Sequence, residues 1–344
     1  MNTIGREFRV TSFGESHGFC VGVLIDGCPP GLKVSLKELQ MEMDRRKAKS
    51  YLHTPRRERD EVEVLSGVFE KRTTGAPILC VVKNIDFDSS KYEIFKTTPR
   101  PSHADFTRHF KFHGFGDYRG GGRFSGRITA GFVAAGYFAK KVLGDSVKMK
   151  TYAKEVGGVE LRGNSNISKL VKNLKGDSVG GIIEFVAENL PIGLGEPIFD
   201  TVEGEIAKAI FSVPAVKGIE FGAGFELARM KGIEANDEFY IKDKRIETKT
   251  NNSGGILGGI TNGMPLVFRV VVKPTPSISI PQKSVDLVEM REKKILIEGR
   301  HDPCIAFRAV PVIEAVACIV LADLYLRYLR GVCFEDERIE RKDR

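Results

Sequence analysis

Short apolar runs rich in valine and isoleucine recur at residues 21–25, 77–82, 182–186 and 266–272, each bounded by glycine, proline or polar positions. They predict strands of a substantial sheet system, with a further strand over 8–11. Between them the spacing becomes helical. Residues 36–46 and 202–211 read as short helices of mixed periodicity, and two longer helices are clearer. One spans 126–142 behind Ser125 as N-cap; the other spans 310–330, with Pro311 in its first turn and Gly331 as its stop. Gly131, Ala134, Ala135 and Gly136 give the 126–142 helix a smooth face that admits another backbone, which predicts an interior position.

A faint internal echo runs through the pattern: strand, Pro-Gly turn and helix occur in GVLIDGCPPGLKVSLKELQ and again in GIIEFVAENLPIGLGEPIFDTVEGEIAKAI. A duplicated strand–helix unit explains it, and so does chance. No low-complexity linker divides the chain, so one compact two-part body over residues 1–333 is expected, followed by a charged, apolar-poor tail at 334–344 that reads as disordered.

With 344 residues and 42% apolar side chains the chain can fill a sizeable core. Its 53 basic against 45 acidic residues leave a net charge of +8, which favours anionic partners without choosing between phosphorylated metabolites, nucleotides, nucleic acid and membrane surface. The N-terminal segment lacks the apolar core of a secretion signal, and a cytoplasmic protein is expected. Residues 309–326 are strongly apolar, but Pro311, Glu314 and Asp323 interrupt them, which argues for a buried helix over a membrane span. The six cysteines show no CxxC pair and no zinc-type spacing, so they read as free thiols without a catalytic part.

Several segments carry candidate chemistry. In Gly14-Glu15-Ser16-His17-Gly18 two glycines bracket a hydroxyl and an imidazole just after a strand, a setting that fits either an acid–base histidine or a turn histidine bonded to backbone. The stretch RGGGRFSGR at 119–127 leads into a helix; glycine backbone, helix N-terminus and three arginines together read as an anion cradle, and it matches neither the P-loop nor the dinucleotide fingerprint. RPSHAD at 100–105 offers His103 as a proton donor to a departing phosphate, or as a solvated side chain. RHDPC at 300–304 joins a cation, an imidazole and a carboxylate, and reads equally as a turn in which Asp302 serves the local backbone. Asp105, His109 and His113 share a helical spacing, yet Gly114 and Gly116 would end such a helix at once, so they read as a solvated face rather than metal ligands. Residues 45–59 form a basic stretch, either a solvated loop or a lid over an anionic ligand.

Taken in order, GESHG, RPSHAD, GGGRFSGR, KPTPSI at 273–278 and GRHDPC resemble the chorismate synthases, and the likeness runs from about residue 2 to 331. The resemblance implies an α+β fold, a β-α-β sandwich of antiparallel sheets and helices with internal pseudo-duplication, assembled as a homotetramer. It implies a trans-1,4 elimination of phosphate from 5-enolpyruvylshikimate-3-phosphate to chorismate, with reduced FMN required but not consumed and NADPH as a possible reductant. By the same resemblance His17 acts on the reduced flavin, His103 assists the leaving phosphate and Asp302 handles the proton at flavin N5. Substrate contacts fall on Ser16, Arg46, Arg127 and Arg300. Flavin contacts fall on Arg123, Phe124, Ser125, Pro214, Ala215, Gly258, Lys273, Pro274, Thr275, Pro276, Ser277 and Arg300, with Arg46 also facing NADP and a lid at 45–60. Phe124, Gly126, Pro276 and Leu52 depart from the residues common in that family at these positions. Two other readings use the same features: a flavoprotein oxidoreductase with permanent hydride transfer, and a nucleic-acid-binding protein built on the basic 45–59 stretch, where Tyr51 is the sole aromatic.

Overall fold

The structure, a computed structural model, describes residues 1–47, 60–85, 88–161, 173–298 and 301–331. Leu52, Arg300, most of the basic 45–59 stretch and the 334–344 tail lie outside the described residues, and so do the readings placed on them.

Two five-stranded antiparallel sheets form the outer layers. The first contains β1 (Thr3–Ile4), β2 (Arg9–Gly14), β3 (Cys20–Asp26), β4 (Val62–Val64) and β5 (Ile78–Lys83) in the order β1-β2-β3-β5-β4. The second contains β6 (Lys148–Val156), β7 (Val159–Glu160), β8 (Gly181–Glu188), β9 (Val216–Phe221) and β10 (Leu266–Val272) in the order β9-β10-β8-β6-β7. The buried apolar side chains at every second position orient each sheet. Val21, Val23 and Ile25 of β3 are buried while Leu24 between them is exposed, and Ile183, Phe185 and Ala187 of β8 face inward opposite buried Phe268 and Val270 of β10. Phe185 and Phe268 are direct cross-strand partners, and their rings stack at 4.7 Å.

The described helices include α1 (Leu36–Asp44), α2 (Asp105–Lys111), α3 (Thr129–Leu143), α4 (Val202–Ile210) and α5 (Ala306–Gly331). α1 starts where Ser35 accepts from the Glu38 N–H at 3.2 Å, and α4 where Thr201 accepts from the Gly204 N–H at 2.9 Å. α3 and α5 lie against each other between the sheets, α3 toward β3 and α5 toward β6 and β8. The small residues of α3 make this possible. A Cβ on Gly131 would stand 2.9 Å from the Gly22 carbonyl oxygen of β3, and one on Gly136 would stand 2.6 Å from Ala315 Cα of α5. The echo in the sequence has a structural counterpart, since β3 with α1 serves the first sheet as β8 with α4 serves the second.

Two helix boundaries differ from expectation. A 3-10 turn, Gly126–Ile128, precedes α3, although Ser125 does cap it by accepting from the Arg127 N–H at 3.2 Å. α5 begins at Ala306 rather than 310, and Ala309 N–H already bonds the Ile305 carbonyl at 3.0 Å ahead of Pro311. Proline fits the first turn best; as the sixth residue of α5, Pro311 has no N–H to give the Phe307 carbonyl, so the helix forgoes one hydrogen bond there.

By length and apolar content α5 matches a membrane span, with mean hydropathy 2.1, yet 83% of that window is buried within the protein. Its two acidic interruptions have protein partners. Asp323 Oδ1 accepts from the backbone N–H groups of Arg6, Glu7 and Phe8 at 2.7, 2.6 and 2.9 Å, which fastens the bend between β1 and β2 to the core. Glu314 binds Arg45 of the α1 C-terminus at 2.5 Å and Lys140 of α3 at 2.6 Å.

Candidate active site

The polar site collects at loops where the inner strands of the first sheet end. The turn after β2 carries Ser16 and His17. His17 is buried, its Nδ1 shares a hydrogen bond with Ser89 Oγ at 2.9 Å, and Tyr92 meets its ring edge-on at 4.9 Å. Asn84, just past β5, donates from Nδ2 to the carbonyls of Glu15 at 3.0 Å and Gly18 at 2.8 Å, so the imidazole turn hangs from a neighbouring strand end.

Opposite this turn runs the glycine loop. Gly120, Gly121 and Gly122 take φ of 59°, 84° and 52°, a region open to glycine at little cost. The loop serves close approach. A Cβ on Gly120 would stand 2.4 Å from His17 Nε2 and 2.8 Å from Ser16 Oγ, and one on Gly121 would stand 3.5 Å from His103 Nε2. Consecutive glycines therefore sit against the two candidate catalytic imidazoles.

His103 follows a tight corner in which Ser102 has φ of 56°. Its Nδ1 lies 2.9 Å from Asp105 Oδ1 and 3.2 Å from both the Asp105 amide nitrogen and Arg100 Nη2. Burial pushes the His103 pKa down, and Asp105 opposes this. Nδ1 thus meets a carboxylate oxygen as well as two N–H groups, while Nε2 is the atom that faces Gly121. Asp105 itself is only 1% exposed. Burial opposes its ionisation, but His103 and Arg100 outweigh this and hold its carboxyl well below the usual range. The solvated-face reading of Asp105 is thus corrected: it is the buried counter-charge of Arg100, which grips it through Nε at 2.7 Å and Nη2 at 3.0 Å. Among the described residues no group of histidine, cysteine or carboxylate side chains has metal-site geometry.

Arg46, at the end of α1, and Arg127, in the turn before α3, converge on Asp60. Arg46 Nη1 donates to Asp60 Oδ2 at 2.9 Å, Arg127 Nη1 donates to Oδ1, and Arg127 Nε donates to Asn84 Oδ1 at 2.9 Å. Arg123 turns the other way. Its guanidinium donates to Ser12 Oγ at 3.2 Å, the Gly14 carbonyl at 3.2 Å and Asn2 Oδ1 at 3.0 Å, stitching the glycine loop to β2, while Phe124 leans on Phe112 at 6.3 Å.

The segment after β10 joins this cluster from the second sheet. Lys273 Nζ donates to the Ser102 carbonyl at 2.5 Å, its amide bonds the Ala215 carbonyl at 2.9 Å, and Ser277 Oγ accepts from Arg100 Nη1 at 3.2 Å. Lys273, Thr275, Ser277 and Ala215 with its neighbour Pro214 are therefore linked to the His103 corner, with Pro274 and Pro276 between them. Burial, assisted by Lys217, lowers the Lys273 pKa. Asp302 precedes α5 and receives Arg308 Nη1 at 2.8 Å. Its neighbour Pro303 accepts from the Val179 N–H at 2.9 Å, while Ser178 Oγ donates to the Thr275 carbonyl at 2.8 Å, so Asp302 belongs to the Thr275 side of the cluster. Gly258 stands apart, in a turn whose next residue, Gly259, accepts from the Val202 N–H at the start of α4.

The segment 273–277 fits a phosphate-bearing, partly apolar cofactor such as FMN. Thr275 Oγ1 is buried without a hydrogen-bond partner among the described residues. A lysine, two hydroxyls and two prolines on one short segment supply the matching donors and flat apolar surface.

The sequence model of the chorismate synthase family matches residues 8–326. The chain belongs to the chorismate synthase family. It is similar to the chorismate synthase of Dehalococcoides mccartyi, with 51% identity covering 95% of this chain and 97% of that one. It is similar also to that of Thermococcus kodakarensis, with 49% identity over 94% and 97% of the two chains. A crystal structure of a chorismate synthase superposes with a TM-score of 0.74 at 29% identity, covering 98% of this chain and 97% of that one. The α+β sandwich expected from the motifs is therefore the fold of a solved member, and neither the oxidoreductase nor the nucleic-acid reading is favoured.

Asp60, Asn84 and Arg100 are residues of this candidate site that pattern reasoning missed. Arg100 lay inside a quoted motif without a role, whereas Asp60 and Asn84 flank ordinary strands and carried no local signal.

Proposed function

We propose that this chain is a chorismate synthase, a carbon–oxygen lyase that removes phosphate and a C6 hydrogen from 5-enolpyruvylshikimate-3-phosphate in the last common step of aromatic amino acid biosynthesis. The observation that carries the reading is the placing of His17 and His103 against consecutive glycines of one loop. A bound reduced FMN supplies reversible electron density to the substrate as phosphate departs.

The chain's own residues do the rest. Ser16, Arg46, Arg127 and Arg300 bind the substrate's anionic groups, and a site from which water is excluded makes each guanidinium count for more. His103 gives its Nε2 proton to the bridging phosphate oxygen. Burial keeps this ring neutral at rest, and an arriving phosphate dianion raises its pKa, so protonation accompanies binding. Asp302 accepts the proton that originates at C6, and His17 holds a proton for the cofactor. Lys273, Pro274, Thr275, Pro276 and Ser277, with Pro214, Ala215, Gly258, Arg300 and the Arg123, Phe124, Ser125 stretch, hold FMN, and Arg46 faces NADPH where that serves as reductant. The protein works in the cytoplasm as a homotetramer; exposed Phe239, Ile241 and Ile246 on a surface hairpin support an assembled state.

The test is anaerobic turnover with reduced FMN, with and without NADPH, following inorganic phosphate. Release without net flavin oxidation is expected. Replacing His17 or His103 by alanine should slow it by roughly 10- to 10,000-fold. No phosphate release, or stoichiometric consumption of reduced flavin, would sink the proposal.

A further inference from the structure

Arg46 and Arg127 reach the site from different elements, and two like charges in one dry pocket repel. Among the described residues, Asp60 is the carboxylate that both touch, one guanidinium on each oxygen, and the three side chains are 4%, 8% and 6% exposed for Arg46, Arg127 and Asp60. Arg127 is further fixed by Nε on Asn84 Oδ1 at 2.9 Å and Nη2 on the Lys83 carbonyl at 3.1 Å. The other end of the same Asn84 amide holds the carbonyls of Glu15 and Gly18, which flank Ser16 and His17. A single chain of contacts thus runs from Arg46 through Asp60, Arg127 and Asn84 to the imidazole turn.

The backbone beside Asp60 is secured independently. Gln40 of α1 donates from Nε2 to the Asp60 carbonyl at 3.2 Å and accepts the Val62 N–H at 3.2 Å. The carboxylate is therefore spare as far as the local fold is concerned, and Asp60 keeps it in the pocket at a φ of 45°, a region that non-glycine residues avoid.

We infer that Asp60 and Asn84 are positioning residues for the elimination: Asp60 sets the spacing and net charge of the arginine pair that receives the substrate anion, and Asn84 sets that pair's place relative to His17. This rests on the reading of Arg46 and Arg127 as substrate contacts. The two residues act on different quantities. Asp60 governs binding, because without its charge the guanidiniums separate before substrate arrives. Asn84 governs turnover, because an acceptor-only group there repels the Glu15 and Gly18 carbonyls and releases the imidazole turn.

Steady-state kinetics on Asp60→Asn, Asp60→Glu and Asn84→Asp, each with FMN titration and thermal melting, separate the possibilities. Asp60→Asn is expected to raise the substrate KM about tenfold with kcat nearly kept, and Asp60→Glu to recover part of the loss. Asn84→Asp is expected to lower kcat about a hundredfold with a smaller change in KM. FMN affinity should stay within about twofold in the two Asp60 variants, since Asp60 contacts none of the residues assigned to the flavin. Equal changes in both constants for both variants, or an Asp60→Asn enzyme with unchanged or lower KM, overturn the inference. Asn84→Asp tests the same chain of contacts from its other end and decides alone if Asp60→Asn does not fold. Arg46→Ala separates the two readings: an unchanged KM there removes the substrate role of the arginines, whereas a raised KM there with a normal one in Asp60→Asn removes only the part given to Asp60.

Discussion

Gly120 shows how much of the site depends on one missing carbon. An alanine there would have to keep φ near 59° with its Cβ 2.3 Å from His17 Cδ2, a distance no contact tolerates. The ring or the loop must yield, and a displacement near 1 Å in such a site costs about a hundredfold in rate. Gly120→Ala is therefore expected to lower kcat about a hundredfold and Gly121→Ala by clearly less, because the latter Cβ would sit 3.4 Å from His103 Cε1. Phosphate-release rates on the two folded variants check the order, and equal losses would contradict it. The glycine triplet was readable as a place of close backbone approach, since only that explains three in a row. What approaches it was not readable, because His17 and His103 lie far away in sequence. Asp105 was misread for a related reason: its spacing to His109 and His113 suggested one helix face, but its partners, Arg100 and His103, come from the corner before the helix.

α1, α3 and α5 meet at Glu314, whose carboxylate joins Arg45 and Lys140, while Glu42 accepts from both cations as well. Burial works against ionisation of Glu314, yet the two cations outweigh it and lower its pKa from 4.5 to about 2. A folded-state pKa below the unfolded one adds stability that is complete above the unfolded value and disappears as pH falls through the folded one. Glu314→Gln should consequently destabilise the protein by about 2 kcal/mol at neutral pH, less than the ~3–5 of a fully buried pair, because Arg45 remains about a third exposed and Glu42 stays in place. Denaturant unfolding across pH is expected to show the gap between the two proteins closing from about 4.5 down to about 2, and a gap that persists at the acid end would refute the charge origin. Element type was legible at this level, because the valine- and isoleucine-rich runs of β3, β8 and β10 and the small-residue face of α3 each follow from what the sandwich requires. Boundaries were less so. Pro311 drew the start of α5 forward to itself, and nothing local in 306–309 marks the earlier turn that packing supports.

The sandwich leaves some surface unexplained by a single chain. Among the described residues the strands Phe239–Lys242 and Arg245–Thr248 pair only with each other, and Ile241 stands directly across from Ile246 with exposures of 80% and 68%. Phe239 on the same hairpin and Ile233 just before it are exposed as well. An isolated two-stranded hairpin is marginal in water, and an apolar cross-strand pair on its face gains nothing from solvent. Such a band was invisible to pattern reading, since its short strands were not recognised and exposure is a property of the folded whole. The proposed homotetramer would give it a covering surface without invoking a foreign partner, because closed symmetric assembly buries the same patch on every copy. Light scattering should then find a particle of about four times the 38.1 kDa chain mass. Ile241→Glu combined with Ile246→Glu should shift it to smaller species, because carboxylates facing each other across that hairpin cannot be buried at a subunit contact without a large desolvation cost. A wild-type monomer would dismiss the assembly itself; a double variant that remains tetrameric would move the contact elsewhere on the molecule.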